Sequence, residues 1–360
     1  MEHSGRVRCV RPRSSADPAA PGIRRSAARD GTGGGVMTQA RILSFDPDGP
    51  RRSRKAGSRT SGASSAAKDP SDSDAGTSDN GMDLAARVGG AVDFVRRRLS
   101  GDYPVDEFGF DPELLDTVLM APMRPLFRSW FRVEVRGLHN VPDDGAALVV
   151  ANHSGTIAVD AVMTQLALLD EHPEHRHLRM LGADLVFAMP FLAELARKAG
   201  HTLACMADAQ RLLAEGQLVG VWPEGFKGIG KPFAERYKLQ RFGRGGFVAA
   251  AVRTGAPIIP TAIVGAEEIY PKIGEIPVLA RLLGMPYFPI TPTFPWLGPL
   301  GMVPLPSKWI IEFGEPIRTD DLPEGSADDP MTILETTDRV RETIQQGLYR
   351  ILVDRPGVFG

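Results

Sequence analysis

Two short stretches of this 360-residue sequence carry residue types suited to proton chemistry. The first is Ala151-Asn152-His153-Ser154-Gly155-Thr156-Ile157-Ala158-Val159-Asp160. A histidine takes a proton near neutral pH, and a carboxylate orients it and stabilises its charged form. His153 and Asp160 are seven positions apart, which along a continuous helix is roughly 10 Å, too far for a hydrogen bond. The pair therefore requires His153-Ser154-Gly155 to be loop and a helix to begin near Asp160. Gly155 and Thr156 suit such a loop. The stretch also requires Glu224 nearby and an apolar opening above.

The second stretch is Gly220-Val221-Trp222-Pro223-Glu224-Gly225-Phe226-Lys227-Gly228. An apolar strand runs into a tight Pro/Gly turn with a carboxylate at its tip. In α/β sheets, ligands sit in loops beyond the carboxyl ends of the strands. Glu224, beside the amides of Gly225 and Gly228, suits the hydroxyl groups of an acceptor. Taken alone, Pro-Glu-Gly is only a turn. Downstream come Lys227, Lys231, Arg236, Lys238, Arg241 and Arg244. Arginine contacts phosphate bidentately, and Gly228 and Gly230 leave backbone amides accessible. The run reads as a phosphate site beside Glu224 or as a solvated face.

Several elements must position these loops. Val133–Val135, Ala146–Val150, Leu178–Leu181, His201–Cys205, Leu218–Trp222, Pro257–Val264 and Trp309–Phe313 read as strands. Between them lie helices over Asp160–Leu169, Phe191–Ala199, Asp208–Gly216 and Phe247–Arg253. Pro330–Leu352 forms a final amphipathic helix through Ile333, Val340, Ile344, Leu348 and Ile351. Alternation of this kind predicts an α/β fold with a mixed central sheet flanked by helices. Residues 275–306 break the pattern, with eight prolines among Leu, Phe, Trp and Met. A loop this apolar covers a core, lines an apolar pocket or touches lipid.

Residues 1–82 form a basic tail rich in Arg, Ser, Gly, Asp, Pro and Ala. It has too little apolar surface to offset its ordering entropy and is expected to be disordered. The first 80 residues hold 14 Lys and Arg against nine Asp and Glu, so the remainder carries the negative balance of a chain with net charge −2. Arg51-Arg52-Ser53-Arg54-Lys55 suits anionic lipid, nucleic acid or plain solvation. Residues 83–132 are expected to form amphipathic helices. One runs through Leu84, Val88, Val92, Val95 and Leu99, with Arg96-Arg97-Arg98 at its end, where the helix dipole favours cations. It suits a membrane interface, the domain or a second chain. The next is capped by Asp111 and Pro112 and split by Pro122 and Pro125. Its face of Met120, Met123, Phe127, Trp130 and Phe131 suits either core packing or lipid.

Two cysteines, Cys9 and Cys205, provide neither a disulfide framework nor a metal cluster, which suits a reducing compartment. The N-terminus lacks the apolar run of a secretory signal, and no stretch reaches about 18 uncharged apolar residues. Any membrane contact is then peripheral.

The Asn-His-Ser-Gly loop with its later Asp, the Trp-Pro-Glu-Gly turn about 70 residues on, and Pro257-Ile258-Ile259-Pro260 on a strand resemble the glycerolipid acyltransferase superfamily. The likeness is nearest to the lysophosphatidic acid acyltransferases and their diacylglycerol-acyltransferase-like bacterial branch, and it spans about 125 to 320. It implies the glycerol-3-phosphate acyltransferase-like fold over an acyltransferase domain, 133–360. It also implies that His153 is the general base, that Asp160 orients it, and that Asn152, Ser154, Gly155, Glu224, Gly225, Lys227, Lys231, Arg236 and Arg244 bind substrate. The donor would be acyl-CoA or acyl carrier protein as co-substrate, with no resident cofactor, no metal and no nucleic acid. The acceptor would be a membrane glycerolipid such as lysophosphatidic acid, met at the cytoplasmic, inner face of the membrane in phospholipid biosynthesis.

Two departures stand out. The family's first motif usually places four residues between His and Asp, and six lie between them here. The family's second block usually offers an arginine for the acceptor phosphate, and Gly200-His201-Thr202-Leu203-Ala204-Cys205-Met206 has none. The alternatives are therefore a neutral acceptor, diacylglycerol or a long-chain alcohol, and a lipid-binding protein without turnover.

Overall fold

The computed structural model describes residues 90, 92–101, 103–189, 191–243 and 245–359. The tail expected over 1–82, its Arg51–Lys55 run, Leu84, Val88 and Arg244 lie outside them. Residues 92–100 are helical, and Val92, Val95 and Leu99 are exposed. This helix belongs to a unit separate from the compact one that begins at Phe108.

That compact unit includes residues 112–130. Asp111 caps the first piece, its side chain accepting from the Leu114 N–H at 3.0 Å, with Pro112 at the first helical position. The helix is split before Met123 as Pro122 predicts, and each half widens into a π-helical turn. Leu115, Met120, Phe127 and Phe131 are buried, and Phe131 stacks on Trp309 with ring centroids 4.7 Å apart. These four pack in the core, while Trp130 of the same face stays partly exposed.

Nine strands follow: β1 Glu134–Arg136, β2 Ala147–Ala151, β3 Leu178–Gly182, β4 His201–Leu203, β5 Leu218–Val221, β6 Ile258–Val264, β7 Gly274–Glu275, β8 Pro289–Ile290 and β9 Ile310–Phe313. Seven make one mixed sheet in the order β1-β9-β6-β2-β5-β3-β4. Pairing is parallel throughout except between β6 and β9. Both faces are covered. On β2, Val149 joins the core containing Met163, Leu166 and Trp309, while Leu148 and Val150 join the core containing Val248, Ile344 and Leu348. A strand buried on both sides reads as a continuous apolar run, and Ala147–Ala151 is fully buried.

The helices that follow β2 are α1 Val159–Glu171, α2 Asp184–Ala188, α3 Leu192–Lys198, α4 Met206–Ala214, α5 Phe226–Ile229, α6 Gly246–Thr254, α7 Pro277–Leu282 and α8 Pro330–Asp354. Asp329 caps α8 through the Met331 and Thr332 N–H groups. Residues 275–306 contain α7, pair β7 with β8 as a hairpin, and end in a helical turn, Gly298–Met302. No helix among the described residues is long and apolar enough to cross a membrane.

Strands β5, β2 and β6 are parallel neighbours, so their carboxyl ends lie along one edge of the sheet. The loops that leave this edge begin at Asn152, Trp222 and Gly265, and the candidate chemistry is here.

Candidate active site

Leaving β2, the chain does not enter a helix until Val159, so residues 152–158 are loop and Asp160 sits in the first turn of α1. His153 Nδ1 is 2.9 Å from Asp160 Oδ2. The same oxygen accepts the Ser154 N–H at 2.9 Å, and Oδ1 accepts the Ala161 N–H at 2.9 Å. A carboxylate only accepts, so the neutral imidazole carries its proton on Nδ1 and keeps a lone pair on Nε2. Asp160 is fully buried, while the His153 side chain retains 13% exposure. One edge of the ring is held and the other remains accessible.

Asn152 extends the ladder between β2 and β6 with its side chain. Its Nδ2 donates to Ile263 O at 3.0 Å and its Oδ1 accepts the Ile263 N–H at 2.7 Å. Both ends of this buried amide are thereby committed to the scaffold. The Ser154 hydroxyl is buried and bonds nothing among the described residues, so His153 does not activate it as a nucleophile. Gly155 has φ of +97°, and a Cβ there would stand 2.8 Å from Ala266 O. Thr156 takes φ of +64°, unusual for a residue with a branched side chain. Its strain is held by Thr156 Oγ1 donating to Tyr270 O at 3.0 Å and by the Tyr287 hydroxyl donating to Thr156 O.

From the end of β5, the Glu224 carboxylate reaches under the loop. Oε1 accepts the His153 backbone N–H at 2.9 Å and Oε2 accepts the Gln240 N–H at 2.6 Å. Lys231 Nζ lies 3.5 Å from Glu224 Oε2 and 3.1 Å from Glu267 Oε1, and it donates to Lys238 O. All three ionic side chains are buried. Burial pushes the Glu267 carboxyl up to about 7, with Lys231 pulling in the opposite direction. Gly228, in α5, packs directly on His153.

Beside this loop is an apolar cavity of about 240 Å³, with Thr156, Ile157, Tyr270, Tyr287, Phe288 and Phe294 among its walls. Most of its lining comes from residues 285–302, so the proline-rich segment lines a pocket. Burial drives the Tyr287 hydroxyl pKa upward, with the Asp160 charge adding to it. Ring centroids of His153 and Trp222 are 6.0 Å apart.

The structure thus brings together His153, Asp160, Asn152, Ser154, Gly155, Glu224, Gly225 and Lys231. It leaves Lys227 exposed on α5 beside Gly228 and Arg236 exposed over the Phe233 ring. Sequence reading missed Gln240, Glu267, Tyr270 and Tyr287. Glu267 had a usable signal, since it follows β6 on the same edge as the other two loops. Tyr287 had none, being 131 residues from the Thr156 carbonyl it binds.

Residues 132–264 match the Acyltransferase family. An uncharacterized protein of Mycobacterium tuberculosis strain H37Rv is 60% identical over 277 residues, 77% of either chain. One from Mycobacterium leprae is 58% identical over 277 residues, 77% of this chain and 76% of the other. Among solved structures, the 1-acyl-sn-glycerophosphate acyltransferase PlsC from Thermotoga maritima is 20% identical, with TM-score 0.42, over 62% of this chain and 73% of that one. The matched residues contain the His153 loop, Asp160 and the Glu224 turn, and the chain belongs with these mycobacterial relatives and carries a domain of the Acyltransferase family.

Proposed function

We propose that this enzyme moves a fatty acyl group from a thioester, acyl-CoA or acyl carrier protein, to a hydroxyl of a glycerolipid. The observation that carries the reading is the 2.9 Å contact between His153 Nδ1 and Asp160 Oδ2, with an apolar cavity starting three residues further along the same loop. His153 Nε2 accepts the hydroxyl proton as the oxygen attacks the thioester carbonyl. The imidazolium that forms is stabilised by buried Asp160. The tetrahedral oxyanion needs N–H donors. The Gly225 N–H is bonded to Trp222 O, which leaves the Gly155 amide for this role among the two glycines of the motifs. The tetrahedral intermediate collapses with loss of the thiolate, which takes up the imidazolium proton and returns His153 to its neutral form. The cavity takes the acyl chain, because its walls are mostly aromatic and aliphatic and include no charged group for a headgroup.

Lysophosphatidic acid is the acceptor the family resemblance suggests. A neutral acceptor, such as diacylglycerol or a long-chain alcohol, is the second reading, and one observation favours it. Lys231 is shared between Glu224 and Glu267 and so is not free for a phosphate. Lys227 stays exposed on α5, and residues 200–206 supply no arginine.

The test is transfer from radiolabelled acyl-CoA to a panel of lysophosphatidic acid, diacylglycerol and glycerol 3-phosphate, with free thiol followed in parallel. Ester product with one acceptor identifies the substrate. Thiol release without ester product would mark a hydrolase and overturn the proposal.

A further inference from the structure

The 32 residues from 276 to 307 contain a single charged side chain, Arg281. Their inner side lines the apolar cavity, and their outer side is not covered by the other described residues. Val278 and Leu282 are one helical turn apart on α7, 71% and 79% exposed. Trp296 and Leu300 are 71% and 73% exposed. Isolated apolar residues on a surface need no explanation, but a whole segment of them marks an interaction site.

Two further contacts widen this face. Trp130 is partly exposed and its Nε1 donates to Pro304 O at 2.9 Å, which joins the helical turns before β1 to the same surface. On the other side, Gly230 at the end of α5 lies against the Tyr287 ring. This places the exposed Phe226 and Lys227 at its border. The cavity opens within the face, because Ile157, Met285 and Met302 line it and are exposed as well.

We propose that this face, centred on Val278, Leu282, Trp296 and Leu300, docks on the surface of a lipid bilayer that carries anionic headgroups. Charge selects this occupant. The one charge within the face is the cation Arg281 and Lys227 borders it, while of the acidic groups at its edge Glu275 is paired with Lys272 at 2.7 Å and Asp184, beside the cavity-lining Leu185, is exposed. Tryptophan is a residue of the membrane–water interface. A second copy seated here would cover Ile157, Met285 and Met302 and close the cavity to its substrate. A bilayer on the same face delivers lipid to it. The docking rests on the acyl-transfer reading only for its purpose, and its test is separable.

The test uses the full chain and sedimentation with vesicles of phosphatidylcholine, alone or mixed with phosphatidylglycerol. Binding is expected to both and tighter to the anionic mixture. The double variant L282D/L300D should bind about tenfold more weakly or worse, because its apolar contact carries two unscreened charges. Both positions are exposed, so its circular dichroism melt should match the wild type. Trp222 and Trp309 are buried, so a blue shift of tryptophan emission on adding vesicles should come from Trp296 and Trp130, with the larger part lost in W296F and the remainder in W130F. In turnover, the double variant should lose activity on vesicle-borne acceptor and keep it on acceptor dispersed in detergent. Vesicle binding by L282D/L300D equal to wild type would overturn the proposal. So would wild type that ignores both vesicles, or a wild-type dimer that the same variant dissociates. Vesicle binding that the variant loses, without turnover on any acceptor, would support the docking and sink the acyl-transfer reading.

Discussion

The Glu224 carboxylate accepts the backbone N–H of His153 at 2.9 Å across 71 residues of sequence. Asp160 holds the ring of the same histidine and the N–H of the next residue. Two buried carboxylates from different elements therefore fix one histidine, one through its side chain and one through its main chain. Neither requires a substrate to be in place. The loop is set before anything binds, which is how a proton acceptor is kept in position without reorganisation.

Replacing His153 with Gln should cut turnover by roughly 10²- to 10⁴-fold, the usual contribution of a positioned base. Asp160→Asn should fall in the same range, because an amide can present an N–H to Nδ1 and favour the wrong tautomer. The check is the rate of acyl transfer at saturating donor, with circular dichroism confirming the fold. An H153Q variant as fast as wild type would remove His153 from the chemistry.

Glu224→Gln tests the scaffold. The carboxylate receives two backbone N–H groups and faces Lys231. A glutamine keeps one acceptor but turns an amide donor toward one of those N–H groups, and it leaves Lys231 with Glu267 alone. Breaking a buried pair of this type costs about 3 kcal/mol. Thermal melting should drop, and kcat should fall more than KM rises, since the histidine is displaced rather than the substrate site. A variant with unchanged kcat and a raised KM would point instead to acceptor binding by Glu224.

Glu267 predicts a pH dependence. Its carboxyl is raised from 4.5 to about 7, chiefly by burial. For an acid raised on folding, the protonated form is favoured in the folded state. The associated stability is fully present below pH 4.5 and is lost as pH rises through about 7. The shift corresponds to roughly 3 kcal/mol across that window. Denaturant melts of wild type and Glu267→Gln at pH 4.5 to 8 should show the wild type losing stability relative to the variant as pH rises. A constant difference across the range would contradict the shift.

Much of this arrangement was legible because strand periodicity and motif spacing are local. Ala147–Ala151 reads as a doubly buried strand from its own residues, and the separation of His153 from Asp160 dictates a loop between them. Lys231 was legible as a cation beside Glu224, but not as a cation already shared by two carboxylates. That depends on Glu267, which the β6 crossover brings in from 36 residues away. The face of residues 112–130 was equally ambiguous, because an aromatic stripe looks the same whether it meets a core or a lipid. Stacking of Phe131 on Trp309 decides it, and that partner lies far along the chain. Asn152 reads as a polar loop residue and turns out to finish a strand ladder, since an amide can imitate a peptide group.

Gly228 gives the sharpest geometric prediction. A Cβ there would stand 2.7 Å from His153 O, 2.9 Å from His153 Cβ and 2.7 Å from Glu224 Cβ. None of these is the free end of a flexible chain, so the backbone of one loop must move. Gly228→Ala should therefore act as an active-site mutation without adding or removing any polar group. We expect a loss of about 1 to 3 kcal/mol in stability, the range for overpacking. A fall in kcat should accompany it, because displacement of a positioned catalytic group by about 1 Å costs on the order of 10²-fold. Gly243→Ala is the control, since a Cβ at that exposed site meets nothing within 4 Å. Melting curves and acyl-transfer rates of the two variants decide the matter. If G228A and G243A behave alike, the contact between α5 and His153 does not hold the histidine in place.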